Sequence, residues 1–144
     1  MKELIENFTK HLRHSIELNN NTTLIPSNKD FNNVLICGLG GSGIGATIIA
    51  QVVADNAKKP ILVNNNYKIP HFVDEKTLVI ACSYSGNTEE TLEMITQAEQ
   101  KNATIVCVTS GGKLAALAIE KKYNYILIPG GHPPRAAFGL AFPS

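Results

Sequence analysis

The chain has 144 residues, 44% hydrophobic and 17% charged, which is one domain's length with the composition of an ordinary folded protein. Lys plus Arg number 13 and Asp plus Glu 12, a net charge of +1, so there is neither a basic footprint for nucleic acid nor an acidic tail. Tryptophan is absent and aromatics make up 6%, which argues against a base-stacking platform.

Residues 2–18 place Leu4, Ile5, Phe8, Leu12 and Ile16 at helical spacing, with Lys2, Glu6, Lys10 and Arg13 on the other side. The spacing predicts an amphipathic helix. Asn19-Asn20-Asn21 ends it, and a polar connector with Pro26 follows. This start does not suit a signal peptide, and no run approaches the roughly 20 apolar residues of a membrane span. We expect a cytoplasmic protein with no membrane partner.

From residue 33 the texture changes. Val34-Leu35-Ile36-Cys37 is a continuous apolar run that stops at a glycine cluster over 38–45. A helical pattern follows, carried by Ile44, Ile48, Ile49, Val52 and Val53. Pro60-Ile61-Leu62-Val63 is the second run, and Leu78-Val79-Ile80-Ala81-Cys82 the third. A Ser/Thr loop leads into a helix over 88–101 with Leu92, Ile95 and Ala98 inward. Ile105-Val106-Cys107-Val108 is the fourth run, followed by Thr109-Ser110-Gly111-Gly112 and a short helix with Leu114, Leu117 and Ala118. Tyr125-Ile126-Leu127-Ile128 closes the series.

Apolar strands without polar alternation suit a parallel sheet covered on both faces. Their alternation with helices suits right-handed crossovers. The expected fold is α/β, a doubly wound five-stranded parallel sheet in the flavodoxin-like order 2-1-3-4-5. Ligands of such sheets sit beyond the carboxyl ends of the strands, where the strand order reverses. Here that point lies between strands 1 and 3.

The loops leaving these two strands are the unusual ones. After strand 3, Ser83-Tyr84-Ser85-Gly86-Asn87-Thr88 supplies the hydroxyls of Ser83, Ser85 and Thr88 and feeds a helix, with Asn87 or Thr88 as its expected N-cap. A helix N-terminus carries free N–H donors and partial positive charge, so it can hold a phosphate without Lys or Arg. The competing reading is a loop that merely caps its helix, and Glu89 and Glu90 favour it by satisfying the dipole themselves.

After strand 1, Gly38, Gly40 and Gly43 match G-x-G-x-x-G. A dinucleotide site would also need an acid at the end of strand 2 for the ribose hydroxyls. That strand ends Val63-Asn64-Asn65-Asn66, which argues against a nicotinamide dehydrogenase. No Gly-Lys-Ser/Thr follows the glycines, so a P-loop is excluded. What remains is a tight glycine loop whose backbone N–H groups and Ser42 face the serine loop.

These residues resemble the SIS (sugar isomerase) domain. The carriers are Gly40-Gly41-Ser42-Gly43, Ser83-x-Ser85-Gly86-x-Thr88, and Thr109-Ser110 after strand 4. With Pro134-Arg135-Ala136-Ala137, the wording looks like the bifunctional phosphoglucose/phosphomannose isomerases. The resemblance implies that Ser83, Ser85 and Thr88 hold the substrate phosphate and that Gly40, Gly41 and Ser42 contact sugar or phosphate. It implies that Arg135 stabilises the enediolate charge, a role suited to a permanently charged, directional donor. It also implies hexose 6-phosphate as ligand, no cofactor, and interconversion of glucose or mannose 6-phosphate with fructose 6-phosphate.

Relatives carry a second SIS domain that contributes the catalytic Glu and ring-opening His. No main base is found in this chain: Glu90 lies near the serine loop but reads better as a solvated or capping residue, and His132 as a turn residue. His11 and His14 share a helix face without further ligands, so no metal is expected. Cys37, Cys82 and Cys107 read as buried hydrophobes in a reduced compartment. The expected organisation is an N-terminal helix and connector over 1–32, the SIS domain over 33–130, and a connector over 131–144. The apolar tail over 136–142 points to a homodimer or a second SIS domain as partner. The chain is thus expected to be the N-terminal, substrate-binding half of an isomerase, with a stand-alone phosphosugar-sensing module as the alternative.

Overall fold

The computed structural model describes residues 24–131 together with Glu17. The expected N-terminal helix, His11, His14, His132, Arg135 and the apolar tail lie outside the described residues. Within them the chain order is β1 (Asn33–Gly38), α1 (Gly40–Val53), β2 (Ile61–Asn64), β3 (Thr77–Ser83), α2 (Glu89–Gln100), β4 (Thr104–Thr109), α3 (Gly112–Lys121) and β5 (Asn124–Leu127). The five strands form one parallel sheet in the order β2-β1-β3-β4-β5. The strand order, the direction and each of the five apolar runs agree with the sequence reading.

The chain moves one way from β1 to β2 and the other way from β3 through β4 to β5. Right-handed crossovers then put α1 on one face of the sheet and α2 and α3 on the opposite face. The main core lies under α2 and α3. Leu35, Cys37, Val79, Ala81, Ile105 and Cys107 of the sheet meet Met94, Ile95 and Ala98 of α2 and Leu114 and Ala118 of α3. Val108, Ile126 and Ile128 form a smaller cluster with Ile80, Cys82 and Tyr84.

α1 departs from expectation at its start. It begins at Gly40, so most of the supposed glycine loop is the first turn of a helix. Its buried residues are Gly43 and Ala46, whereas Ile44 and Val52 are 60% and 67% exposed. The reason is a close approach: a Cβ on Gly43 would stand 2.7 Å from the Gly38 carbonyl oxygen. A helix that presses its small residues onto the strand end turns part of its bulk outward, while Ile48, Ile49 and Val53 of the same pattern stay half-buried.

Cys37 and Cys107 are buried, Cys82 is half-buried, and all three are free thiols. Desolvation pushes each thiol up to about 12, and at Cys82 the neighbouring Cys37 and Cys107 add to it. The nucleophile is the thiolate. We therefore expect iodoacetamide at pH 8 to leave Cys37 and Cys107 unmodified in the native protein and to label them after unfolding in urea. Rapid native labelling of either, read by peptide mass, would contradict this packing.

Candidate functional site

The parallel register brings three loops to one edge of the sheet. Gly38 pairs with Cys82, and Ser83 pairs with Thr109, so β1, β3 and β4 end side by side. Neighbouring parallel strands lie roughly 4.8 Å apart, which places their exits within reach of one small ligand.

Three helix N-termini face this edge, and their caps differ. The N-cap of α1 is Leu39, which has no acceptor to offer, and its first turn carries no acid. The first-turn donors of α1 belong to Gly40, Gly41 and Ser42, the residues singled out from the sequence. The N-cap of α2 is Thr88, yet its side chain makes no cap hydrogen bond. Its hydroxyl lies instead 2.7 Å from the Ser83 hydroxyl. Both helices therefore present first-turn N–H groups without a side-chain acceptor, each end worth roughly half a positive charge.

The hydroxyls of loop 83–88 are organised rather than loose. Ser83 is buried, and its Oγ accepts the Gly86 N–H at 3.2 Å. Ser83 and Thr88 share one hydrogen bond, so whichever donates, one hydroxyl proton of the pair remains for a ligand. Ser85 is exposed, and its Oγ accepts the Asn87 N–H at 3.2 Å, which leaves its own proton available. The structure thus brings Ser83, Ser85 and Thr88 together in one loop and sets Gly40, Gly41 and Ser42 on the adjacent exit.

α3 is the helix whose N-terminus is satisfied. Asn87, expected to cap α2, accepts the Lys113 N–H with its Oδ1 at 3.1 Å. The Leu114 N–H goes to the Gly86 carbonyl at 2.9 Å. From the β4 side, Ser110 donates both its N–H, at 3.1 Å, and its hydroxyl, at 2.6 Å, to the Tyr84 carbonyl. Tyr84 in turn donates its hydroxyl to the Pro129 carbonyl at 3.1 Å. Loop 83–88 is therefore latched to residues 109–114. The sequence signalled Thr109-Ser110 only as part of a motif, and Asn87 only as a local cap.

Two further residues were not singled out from the sequence. Gln97 clamps the β2–β3 loop, donating to the Tyr67 carbonyl at 2.7 Å and accepting the Ile69 N–H at 3.1 Å. The loop so held brings Tyr67 close to Glu90 and Glu89. Desolvation first, then Glu90 and Glu89, holds the Tyr67 hydroxyl above its usual pKa. Glu90 thus has Tyr67 as a neighbour at the head of α2. At the end of β2, where a dinucleotide fold places its acid, Asn64 is buried and donates to the Lys68 carbonyl at 2.9 Å. Its work is to hold the loop.

Among the described residues no group of three or more His, Cys, Asp and Glu side chains is placed to hold a metal, and no helix is long and apolar enough to cross a membrane.

Residues 29–142 match the SIS domain family. The bifunctional phosphoglucose/phosphomannose isomerase of Caldicellulosiruptor bescii is 43% identical over 142 residues, which is 99% of this chain and 42% of that protein. The chain therefore spans about two fifths of the length of this relative. Among solved structures, tagatose-6-phosphate ketose/aldose isomerase from Escherichia coli superposes with a TM-score of 0.64 at 18% identity, over 96% of this chain and 40% of that one. The NanR protein of Vibrio vulnificus, complexed with ManNAc-6P, superposes with a TM-score of 0.62 at 18% identity, over 94% of this chain and 51% of that one.

Proposed function

The chain belongs to the SIS domain family, and from that premise we propose that it is the phosphosugar-binding part of an aldose–ketose isomerase acting on hexose 6-phosphates. The observation that carries this reading is the pair of adjacent helix N-termini, on α1 and α2, with no side-chain caps and three hydroxyls between them. Ser83, Ser85 and Thr88 hold the phosphate, and Gly40, Gly41 and Ser42 supply backbone donors to sugar or phosphate. The ManNAc-6P complex of a chain with this fold, and the sugar isomerases to which the sequence is similar, support the same ligand class.

In such a reaction the phosphate is remote from the carbons that exchange a proton. Its binding energy fixes the sugar so that C1 and C2 meet the catalytic groups in a reactive geometry. The oxygen that gains charge needs a cation, and Arg135 takes that role. The general base comes from outside residues 24–131. A second SIS domain or a second copy of the chain is the partner, and Ile44 and Val52 give α1 an exposed apolar face for it to cover. Three free thiols with raised pKa values fit a reducing, cytoplasmic setting.

The test is a thermal-shift titration with glucose 6-phosphate and fructose 6-phosphate. Ligand at about 100 times Kd is expected to stabilise the protein by roughly 2.7 kcal/mol. No shift at millimolar ligand would overturn the reading. A coupled isomerase assay is expected to find little turnover by the 144-residue chain alone, and robust turnover would overturn the division of labour between this part and its partner.

A further inference from the structure

We propose that Asn87 is a positioning residue for the phosphate, acting through Ser85 and the first turn of α2 rather than touching the ligand. This rests on the phosphate reading above.

Asn87 stands between two tasks. Its backbone N–H is held by the Ser85 hydroxyl oxygen at 3.2 Å, so the orientation of Asn87 and that of Ser85 are set together. Its side-chain oxygen receives the Lys113 N–H, 26 positions away in sequence. The Gly86 carbonyl beside it takes the Leu114 N–H. The first turn of α3 is thus used to hold loop 83–88, and the polarised N–H groups at that helix end make it a firm anchor.

The same contact has a second effect. An Asn beside Thr88 in this sequence has the side chain to cap α2, and a capped α2 would offer a phosphate fewer free donors. With its carboxamide committed to α3, and with the Thr88 hydroxyl committed to Ser83, the α2 donors stay open. Asn87 therefore both fixes Ser85 and keeps its own acceptor off the helix that the phosphate needs.

The role is separable from general stability because Asn87, Gly112 and Lys113 are all exposed, so water can replace the lost cap. In the full chain, Asn87→Ala is expected to weaken glucose 6-phosphate and inorganic phosphate alike by about tenfold, since misplacement of a binding group by fractions of an ångström is costly. Amide exchange at Lys113 is expected to accelerate. Asn87→Asp, which keeps the acceptor, is expected to restore slow exchange at Lys113. Ile105→Val, in the core of β4, serves as a control with a comparable loss of stability, and its affinity is expected to match the wild type.

Wild-type affinity in Asn87→Ala alongside fast exchange at Lys113 would overturn the proposal. Equal weakening in Ile105→Val would also overturn it, by assigning the effect to stability. Failure of the wild-type chain to bind either probe would instead overturn the phosphate reading, and this proposal with it.

Discussion

Gly86→Ala is expected to lower the melting temperature by about 10 °C or more and to abolish ligand binding at the temperatures where the parent still binds. Gly86 has φ +70, in the left-handed region, where a side chain costs roughly 1–2 kcal/mol. Its Cβ would also stand 1.8 Å from the Gly111 carbonyl oxygen, a backbone atom that cannot swing aside. The turn bearing Gly111 is tied by Ser110 to Tyr84 and by Lys113 to Asn87, so relief requires breaking the latch itself. Overpacking of this kind adds about 1–3 kcal/mol, for a total of about 2–5 kcal/mol against a domain stability of roughly 5–15. Gly112→Ala meets the mirror obstacle, with φ +67 and a Cβ 2.4 Å from the Ser85 carbonyl oxygen. The two substitutions break one contact from its two sides, so the double variant is expected to lose less than the sum. Thermal unfolding followed by circular dichroism measures all three. A Gly86→Ala protein melting within about 3 °C of the parent would contradict the interlock.

Ser83→Ala is expected to weaken hexose 6-phosphate binding by about 10- to 100-fold while costing only about 1 kcal/mol of stability. The difference in scale comes from charge. In the free protein the Ser83 hydroxyl makes neutral hydrogen bonds, to Thr88 at 2.7 Å and from Gly86 at 3.2 Å, and Gly86 N–H keeps a second acceptor in the Ser83 carbonyl. Toward a phosphate, the pair of hydroxyls supplies a proton to an anion, and hydrogen bonds to charged groups are worth roughly 1.5–3 kcal/mol. Ser83 is only 2% exposed, so water has little room to replace it. Isothermal titration with glucose 6-phosphate measures the first effect, and urea unfolding the second. A change in affinity within about threefold would remove Ser83 from the phosphate site.

Much of this protein was legible in its sequence because the relevant signals are local. Val34-Leu35-Ile36-Cys37 and its counterparts are continuous apolar runs, and continuity implies burial on both sheet faces whatever the neighbours are. The order β2-β1-β3-β4-β5 agrees with the flavodoxin-like order expected of a doubly wound sheet with that parallel pattern. The serine loop announced itself through hydroxyls and a glycine packed into six positions before a helix.

What the tertiary structure decided depends on partners distant in the chain. Asn87 looks like the cap of its own helix until α3 is seen to take its side chain, because the competing donor, Lys113, is unrelated to it by any local period. Glu90 looks free to cap or to act as a base until the β2–β3 loop, clamped by Gln97, brings Tyr67 to it. The inward face of α1 was not specified by its helical pattern, because close contact at Gly43 selects small residues, while periodicity counts large ones. Sequence alone determined which segments build the sheet and which loops bear the donors. Only packing determined which donors are spent within the protein and which remain for a ligand, since each hydrogen bond is assigned by competition among groups that the fold, not the chain order, makes neighbours.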